Sequence, residues 1–328
     1  MGLKGGALIL VTGGAGYVGS HCTKELQRRG YEVVVLDNLS EGYRAAVQSE
    51  HFVKADLLDR EALNRTFNEY SIDAVMHFAG LIRVGESVDD PQIYYQNNVL
   101  GTLNLLQTMR EHGIDRMIFS SSAAVYGDPE TIPIPEDHPK RPKSPYGKTK
   151  WMVEQILGDY AHAYGLRSIS LRYFNAAGCD PEGELGENHN PETHLIPIVL
   201  DAALKRRDCI TIFGTDYETP DGTCVRDYIH VNDLAKAHIL ALEALKERCV
   251  SRAYNLGIGQ GYSVREVINV CRRVTGKEIP VVEGKRRPGD PPRLIADPTR
   301  VQNDLGWQPK FTELDEIVRT AWKRKRMA

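Results

Sequence analysis

The chain has 328 residues, a formal net charge of -3, 26% charged and 41% hydrophobic residues, so it reads as an ordinary globular protein without the basic excess of a nucleic-acid binder. That length exceeds most single cores, which predicts one large domain with a smaller lobe, or two domains. The cysteines at 22, 179, 209, 224, 249 and 271 form no CxxC and no cluster, which argues against a zinc site or a disulfide framework and fits a reducing cytoplasm.

The first apolar run, Ala7 to Val11, is short and enters a glycine loop directly, so neither a signal peptide nor a membrane span is expected. Gly6 also replaces the Ser or Thr of a myristoylation signal. Strand-length apolar runs then alternate with helical patterns: ALILVT, a helix from Tyr17 to Arg29, YEVVVLD, HFVKAD and a helix around Glu61 to Tyr70. AVMHFAG, a helix from Pro91 to about Glu111, RMIFSSS, a helix after Pro145 and RSISLRYF follow. This alternation predicts a doubly wound parallel sheet with helices on both faces, an α/β Rossmann-type fold.

Within the first unit, "VTGGAGYVG" places Gly13, Gly16 and Gly19 in a G-x-x-G-x-x-G loop at the entry to a helix. Such a loop permits a tight turn, lets backbone approach a pyrophosphate and aims helix amides at its charge. Asp37 ends the next strand, where a carboxylate accepts hydrogen bonds from a ribose 2'-hydroxyl and repels a 2'-phosphate, so NAD is favoured over NADP. A turn-capping role for Asp37 is the alternative.

After Phe174 the rhythm breaks. Residues 175–193 are rich in Gly, Pro, Asn and acids and read as a long loop, with further polar loops at 214–223 and 284–293. The expected division is a dinucleotide-binding domain over 1–174, joined by a returning segment near 227–250, and a smaller mixed α/β lobe over 175–328. A helix from Val231 to Leu245 is expected to pack back on the first domain. The final KRKRMA reads as a solvated tail, and His189 and His194 as solvated loop residues rather than metal ligands.

In "SPYGKTK" Ser144 and Pro145 suit the N-cap and first position of a helix, so Tyr146 and Lys150 share one face. A phenol that serves as a base at neutral pH must drop about three units, or ~4 kcal/mol. One cation at about 4 Å in an effective dielectric of 20 supplies ~4 kcal/mol at most, so Lys150 is expected to lower Tyr146, and an oxidised nicotinamide ring would add to it. Ser120 to Ser122 end a strand on the side where ligands of open α/β sheets bind, and either hold a substrate oxygen or cap the turn.

From "VTGGAGYVGSH" through "VLDN", "HFAG", "FSSSAAVYGD", "SPYGKTKWMVEQIL", "LRYFNAAG" and "GTDYETPDGTCVRDYIHVNDLA" to "RRPGD", the chain resembles the extended short-chain dehydrogenases, in their nucleotide-sugar 4-epimerase branch. The resemblance implies a catalytic trio of Ser122, Tyr146 and Lys150, with Tyr146 as acid/base. It implies NAD contacts at Tyr17, Val18, Asp37, Asn38, Asp56, Leu57, Phe78, Ala79, Gly80, Asn97 and Phe174. For a UDP-sugar it implies Asn175, His194, Leu195, Thr211, Ile212, Phe213, Arg226, Arg287 and Asp290, with Leu294 walling the sugar pocket. It further implies a cytoplasmic homodimer, packed through the helices from Pro91 and Pro145, that interconverts UDP-glucose and UDP-galactose. Reversible oxidation at C4 gives a 4-keto sugar that turns its other face before reduction.

Three positions depart from the pattern: Ile82, followed by Arg83, stands where Lys is usual, His194 replaces an Asn, and Leu294 is intermediate between the Tyr and small residues of relatives. The intermediate Leu294 leaves UDP-N-acetylglucosamine open as a substrate, and UDP-pentoses stay open because the Tyr and Lys chemistry at C4 is indifferent to what hangs on C5. Ala123 and Ala124 replace the acids of a dehydratase. From another class, a non-catalytic NAD sensor would typically have lost the Tyr or the Lys.

Overall fold

The computed structural model describes residues 6–245, 251–287 and 289–327. The alternating runs form strands β1 (Leu8–Thr12), β2 (Glu32–Asp37), β3 (His51–Lys54), β4 (Ala74–His77), β5 (Arg116–Ser122) and β6 (Arg167–Tyr173). Between them lie helices α1 (Tyr17–Arg28), α2 (Arg60–Glu69), α3 (Val84–Asp89), α4 (Pro91–Tyr94), α5 (Gly101–Glu111) and α6 (Pro145–Tyr164). Next come β7 (Asn175–Ala177), α7 (Leu195–Ala203), β8 (Ile210–Phe213), β9 (Val225–His230) and α8 (Val231–Ala244). The chain then returns as β10 (Arg252–Leu256), which pairs in parallel with β6. The result is a seven-stranded sheet in the order β3-β2-β1-β4-β5-β6-β10, all neighbours parallel.

Both faces of this sheet are covered, so alternate strand residues feed two cores. Ile9, Val11, Val33, Val35 and Met76 pack with Leu234, Ile239 and Leu242 of α8. Leu10, Val34, Leu36 and Val75 pack with Leu63 of α2, Leu105 of α5 and Leu157 of α6. Helix α8 lies against α1, and Trp307 reaches the same layer, donating its indole N–H to Asp233 O at 3.0 Å. Residues 246–250 of the returning segment lie outside the described residues.

A third core gathers Leu200 of α7 and Ile210 and Ile212 of β8 with Val267, Ile317 and Val318 further along the chain. The remaining elements are β11 (Gly261–Ser263), α9 (Val264–Thr275), β12 (Val281–Gly284), β13 (Arg293–Leu294), α10 (Thr299–Leu305) and α11 (Leu314–Met327). β9 is the hub of a small sheet with β7, β11 and β13, while β8 pairs with β12.

Three local expectations change, and one helix is new. The segment 175–193 is not all loop, because Asn175–Ala177 finds unpaired backbone on β9 and adds to it as β7. KRKRMA is not a tail: Ile317, Val318, Ala321 and Trp322 continue an apolar stripe, so α11 runs on to Met327, and Lys325 pairs with Asp201 at 2.7 Å. The helix from Pro91 carries a π turn over Tyr95–Leu100, which turns the consecutive Asn97 and Asn98 both toward the site. The short α3, inside "VGES", had no helical period long enough to read.

Candidate active site

The turn from β1 to α1 tolerates only backbone. Gly13 has φ +73°, and a Cβ there would sit 2.5 Å from Ala79 N; a Cβ on Gly19 would sit 2.3 Å from Gly13 O. Above this turn, at the carboxyl ends of the strands, opens a cavity of about 370 Å³. Every cofactor residue expected from the sequence lines it, from Gly13, Gly16 and Gly19 through Asp37, Asp56, Phe78 and Asn97 to Phe174, and so do Ser122, Tyr146 and Lys150. Helix α1 starts at this cavity with no acid in its first turn, leaving its positive end for an anion.

Asp37 serves the turn as well as facing the cavity. Ala15 N–H donates to Oδ2 at 3.0 Å and Leu39 N–H to Oδ1 at 2.8 Å. Burial raises its pKa against those two donors, and each oxygen keeps a lone pair for a ribose hydroxyl. Asn38 donates to Asp56 Oδ2 at 2.7 Å and so ties the ends of β2 and β3 together. These features, a dinucleotide-sized cavity, a glycine cradle and a carboxylate at the end of β2, fit NAD.

The expected cap of α6 is present: Ser144 Oγ accepts from Gly147 N–H at 3.1 Å, with Pro145 at the first position. Tyr146 and Lys150 are both buried on the cavity side. Their electrostatics differ from the expectation. The Lys150 ammonium donates to Ser120 O at 2.8 Å and lies 5.9 Å from the centre of the Tyr146 ring. Burial raises the Tyr146 phenol, a hydrogen bond with Ser122 opposes that, and Lys150 contributes no resolved lowering. Desolvation outweighs a cation that is itself held by a carbonyl.

Burial also pulls Lys150 down to about 8. Its folded value lies below the unfolded one near 10.4, so the ammonium costs stability below pH 8, and the cost fades as pH rises from 8 toward 10. Lys150→Met is therefore expected to stabilise the cofactor-free protein at pH 7. The relieved cost is about 3 kcal/mol, less about 1 for the hydrogen bond to Ser120, leaving a gain of roughly 2 kcal/mol. Urea melts at pH 7 and pH 10 check this, and equal gains at both values would contradict it.

The expected substrate residues divide between places. Asn175 and His194 line the main cavity. Arg287 and Asp290 line a second hollow of about 360 Å³ with Tyr217 and Arg286, and the Arg287 guanidinium lies 4.0 Å over the Phe213 ring. Arg226 donates to Pro291 O at 2.9 Å and stands 3.5 Å from Asp290, facing the same segment. Leu294 packs with Trp151 and Phe174 beside Tyr126. Two residues are not placed to touch a ligand with their side chains. Ile212 points into the third core, since strand alternation sends Thr211 and Phe213 the other way, and Leu195 packs against that core at the start of α7.

Asn98, which carries no motif of its own, is a further group of the site. Asn98 accepts from Leu81 N–H at 2.8 Å and donates to Leu81 O and Thr149, locking the loop after β4 onto α6. Arg83 pairs with Glu41 at 2.5 Å and donates to Asn190 O at 3.2 Å, bridging two loops over the cavity, while Ile82 lines it. His189 and His194 are not solvated singly, because the fold brings Glu187 and Glu192 onto them. His194 Nδ1 stands 2.7 Å from Glu187, whose carboxyl is held down to about 2 by the two imidazoles despite burial.

Fold and site together define a dinucleotide-dependent α/β enzyme of the dehydrogenase type. Residues 9–257 match the NAD dependent epimerase/dehydratase family, and the chain belongs to that family. It is 52% identical over 314 residues to a UDP-glucose 4-epimerase of Halalkalibacterium halodurans, covering 96% of this chain and 94% of that one. The crystal structure of UDP-glucose 4-epimerase from Brucella ovis in complex with NAD superposes with a TM-score of 0.94 at 52% identity, over 97% of this chain and 98% of that one. That of the Bifidobacterium longum enzyme in complex with NAD+ and UDP gives 0.94 at 38% identity, over 98% of each chain.

Proposed function

We infer that this chain is an NAD-dependent isomerase that interconverts UDP-glucose and UDP-galactose by inverting C4. The observation that carries the reading is that Ser122, Tyr146 and Lys150 line one cavity with Gly13, Asp37 and Asn97, so a proton-transfer group and a dinucleotide cradle share one space. NAD, when bound there, supplies the means to oxidise C4 and reduce it again. Tyr146 takes the O4 proton and gives it back to O4 once the 4-keto sugar has turned its other face, with Ser122 holding the sugar oxygen. Lys150, anchored on Ser120 O, holds its ammonium 5.9 Å from the centre of the Tyr146 ring. Arg226, Arg287 and Asp290, with Phe213 as an apolar face, hold the UDP end, while the sugar reaches Asn175 and His194.

The reading includes a homodimer through the helices around α5 and α6. It is supported there by exposed Val88, Leu100, Met152 and Tyr164, four large apolar side chains on or beside these helices. A cytoplasmic setting is supported by the five described cysteines, all free, and no described helix is long and apolar enough to cross a membrane.

The test is proton NMR of UDP-galactose incubated with the purified protein without added NAD. Steady appearance of UDP-glucose is expected, with cofactor retained from the cell. No conversion even with NAD supplied would overturn the reading for hexoses and pass the question to UDP-pentoses and UDP-N-acetylglucosamine.

A further inference from the structure

We propose that Glu187, His189, Glu192 and His194 bind one divalent first-row metal ion of the zinc type at the edge of the active-site cavity. The four residues form a Glu-x-His-x-x-Glu-x-His stretch, and one ligand atom from each lies within 4.8 Å of all the others. His194 Nδ1 is 2.7 Å from Glu187 Oε1 and 3.0 Å from Glu192 Oε1, and His189 Nδ1 is 3.2 Å from Glu187 Oε1. Ligands on a tetrahedral ion with bonds of about 2.1 Å stand roughly 3.4 Å apart, so little movement is needed to close on a metal.

Two buried atoms point to a ligand. Glu187 Oε1 and His189 Nδ1 are buried without a hydrogen bond of proper geometry among the described residues, and what they meet is the cluster itself: each other at 3.2 Å and, for Glu187 Oε1, His194 Nδ1 at 2.7 Å. The Glu187 side chain is only 4% exposed, and His189 and Glu192 are 13% exposed. Among the described residues no Lys or Arg pairs with Glu187 or Glu192. The neighbouring acids Asp180, Glu182 and Glu184 show the contrast, because they close on Lys24 Nζ at 2.9, 3.0 and 2.8 Å. One acidic group holds its own cation; the other presents two carboxylates and two imidazoles to the same point. That donor set suits zinc and its first-row neighbours, whereas magnesium and calcium ask for six or more oxygens.

The ion would fasten the irregular segment 178–194, which is tied elsewhere by Tyr17 donating to Gly178 O at 2.5 Å and by Arg83 on Asn190 O. Glu187, His189 and His194 also line the main cavity, so fixing them shapes the wall that the substrate meets. The role is positional and asks no chemistry of the metal.

The test uses untagged full-length protein, stripped with a chelator and titrated with Zn2+ by calorimetry, then loaded with Co2+. One ion per chain and the intense visible absorption of four-coordinate Co2+ are expected. His189→Ala and Glu187→Gln should each weaken Zn2+ binding about 100-fold, since even outer groups around a metal account for 10- to 100-fold. Absence of stoichiometric binding, the weak spectrum of six-coordinate Co2+, or undiminished affinity in both variants would overturn the site. The wild-type Co2+ spectrum decides even where a variant does not fold.

Discussion

Tyr146→Phe is expected to lower turnover of UDP-galactose by about 10²- to 10⁴-fold, or ~3 to 5 kcal/mol of barrier, while bound NAD and melting temperature stay near wild type. The ring is buried in the first turn of α6, and Phe keeps its volume and contacts, so only the hydroxyl is lost. That hydroxyl shares a hydrogen bond with Ser122 and makes no bridge that the helix needs. Its burial holds it protonated, so the group is a poor base in the cofactor-free protein and depends on added positive charge. Lys150, half-way to neutrality near pH 8, contributes no resolved lowering of its own, so the charge is expected from the oxidised cofactor when bound. An NMR time course with both proteins, together with the absorbance of released NAD, separates chemistry from cofactor loss. Activity of the Phe variant within tenfold of wild type would remove Tyr146 from the role of acid/base.

What the sequence made legible follows from where each residue is solvated. The strands of the large sheet are buried on both faces, so they read as unbroken apolar runs, and the glycine loop reads because only glycine fits against Ala79 and Gly13 O. Tyr146 and Lys150 were legible as a pair because helix spacing alone puts them on one face. Their protonation was not, because it depends on how much water the fold removes, and i to i+4 spacing contains no depth. The strand Arg252–Leu256 was hidden for a similar reason: "RAYNL" has no apolar run, and its Asn255 is there to bond Ile134 O and Tyr126. The Glu187 to His194 cluster was hidden because its members sit in a polar stretch whose period matches neither helix nor strand.

Arg172→Ala is expected to destabilise the protein by about 3 to 5 kcal/mol, a loss of roughly 10 °C in melting temperature, although Arg172 lies outside the expected cofactor and substrate contacts. Arg172 points from β6 into a space where it is 3% exposed, and there its guanidinium meets Glu154 of α6 with a contact of 2.5 Å. It also donates to Tyr126 at 2.8 Å and Glu136 O at 3.0 Å, while Ser121 donates to Glu154 Oε1 at 2.5 Å. Tyr126 in turn donates to Asn255 at 2.6 Å, so one network joins β5, β6, β10 and α6 beside Ser122 and Tyr146. Removing the cation leaves the Glu154 carboxylate buried with one hydroxyl partner, and that stranded charge, more than the lost bonds, sets the size of the effect. The loss has two separable origins, the stranded carboxylate and the missing bonds. If stranding dominates, Arg172→Met with Glu154→Leu should recover most of the stability, since a buried pair replaced by apolar groups of similar volume is close to neutral. Activity should not recover with it, because Ser121, the neighbour of Ser122, would have lost its acceptor. Chemical denaturation of the single and double variants, read beside turnover, checks both halves. A double variant as unstable as Arg172→Ala would show instead that the bonds to Tyr126 and Glu136 hold the strand ends in place.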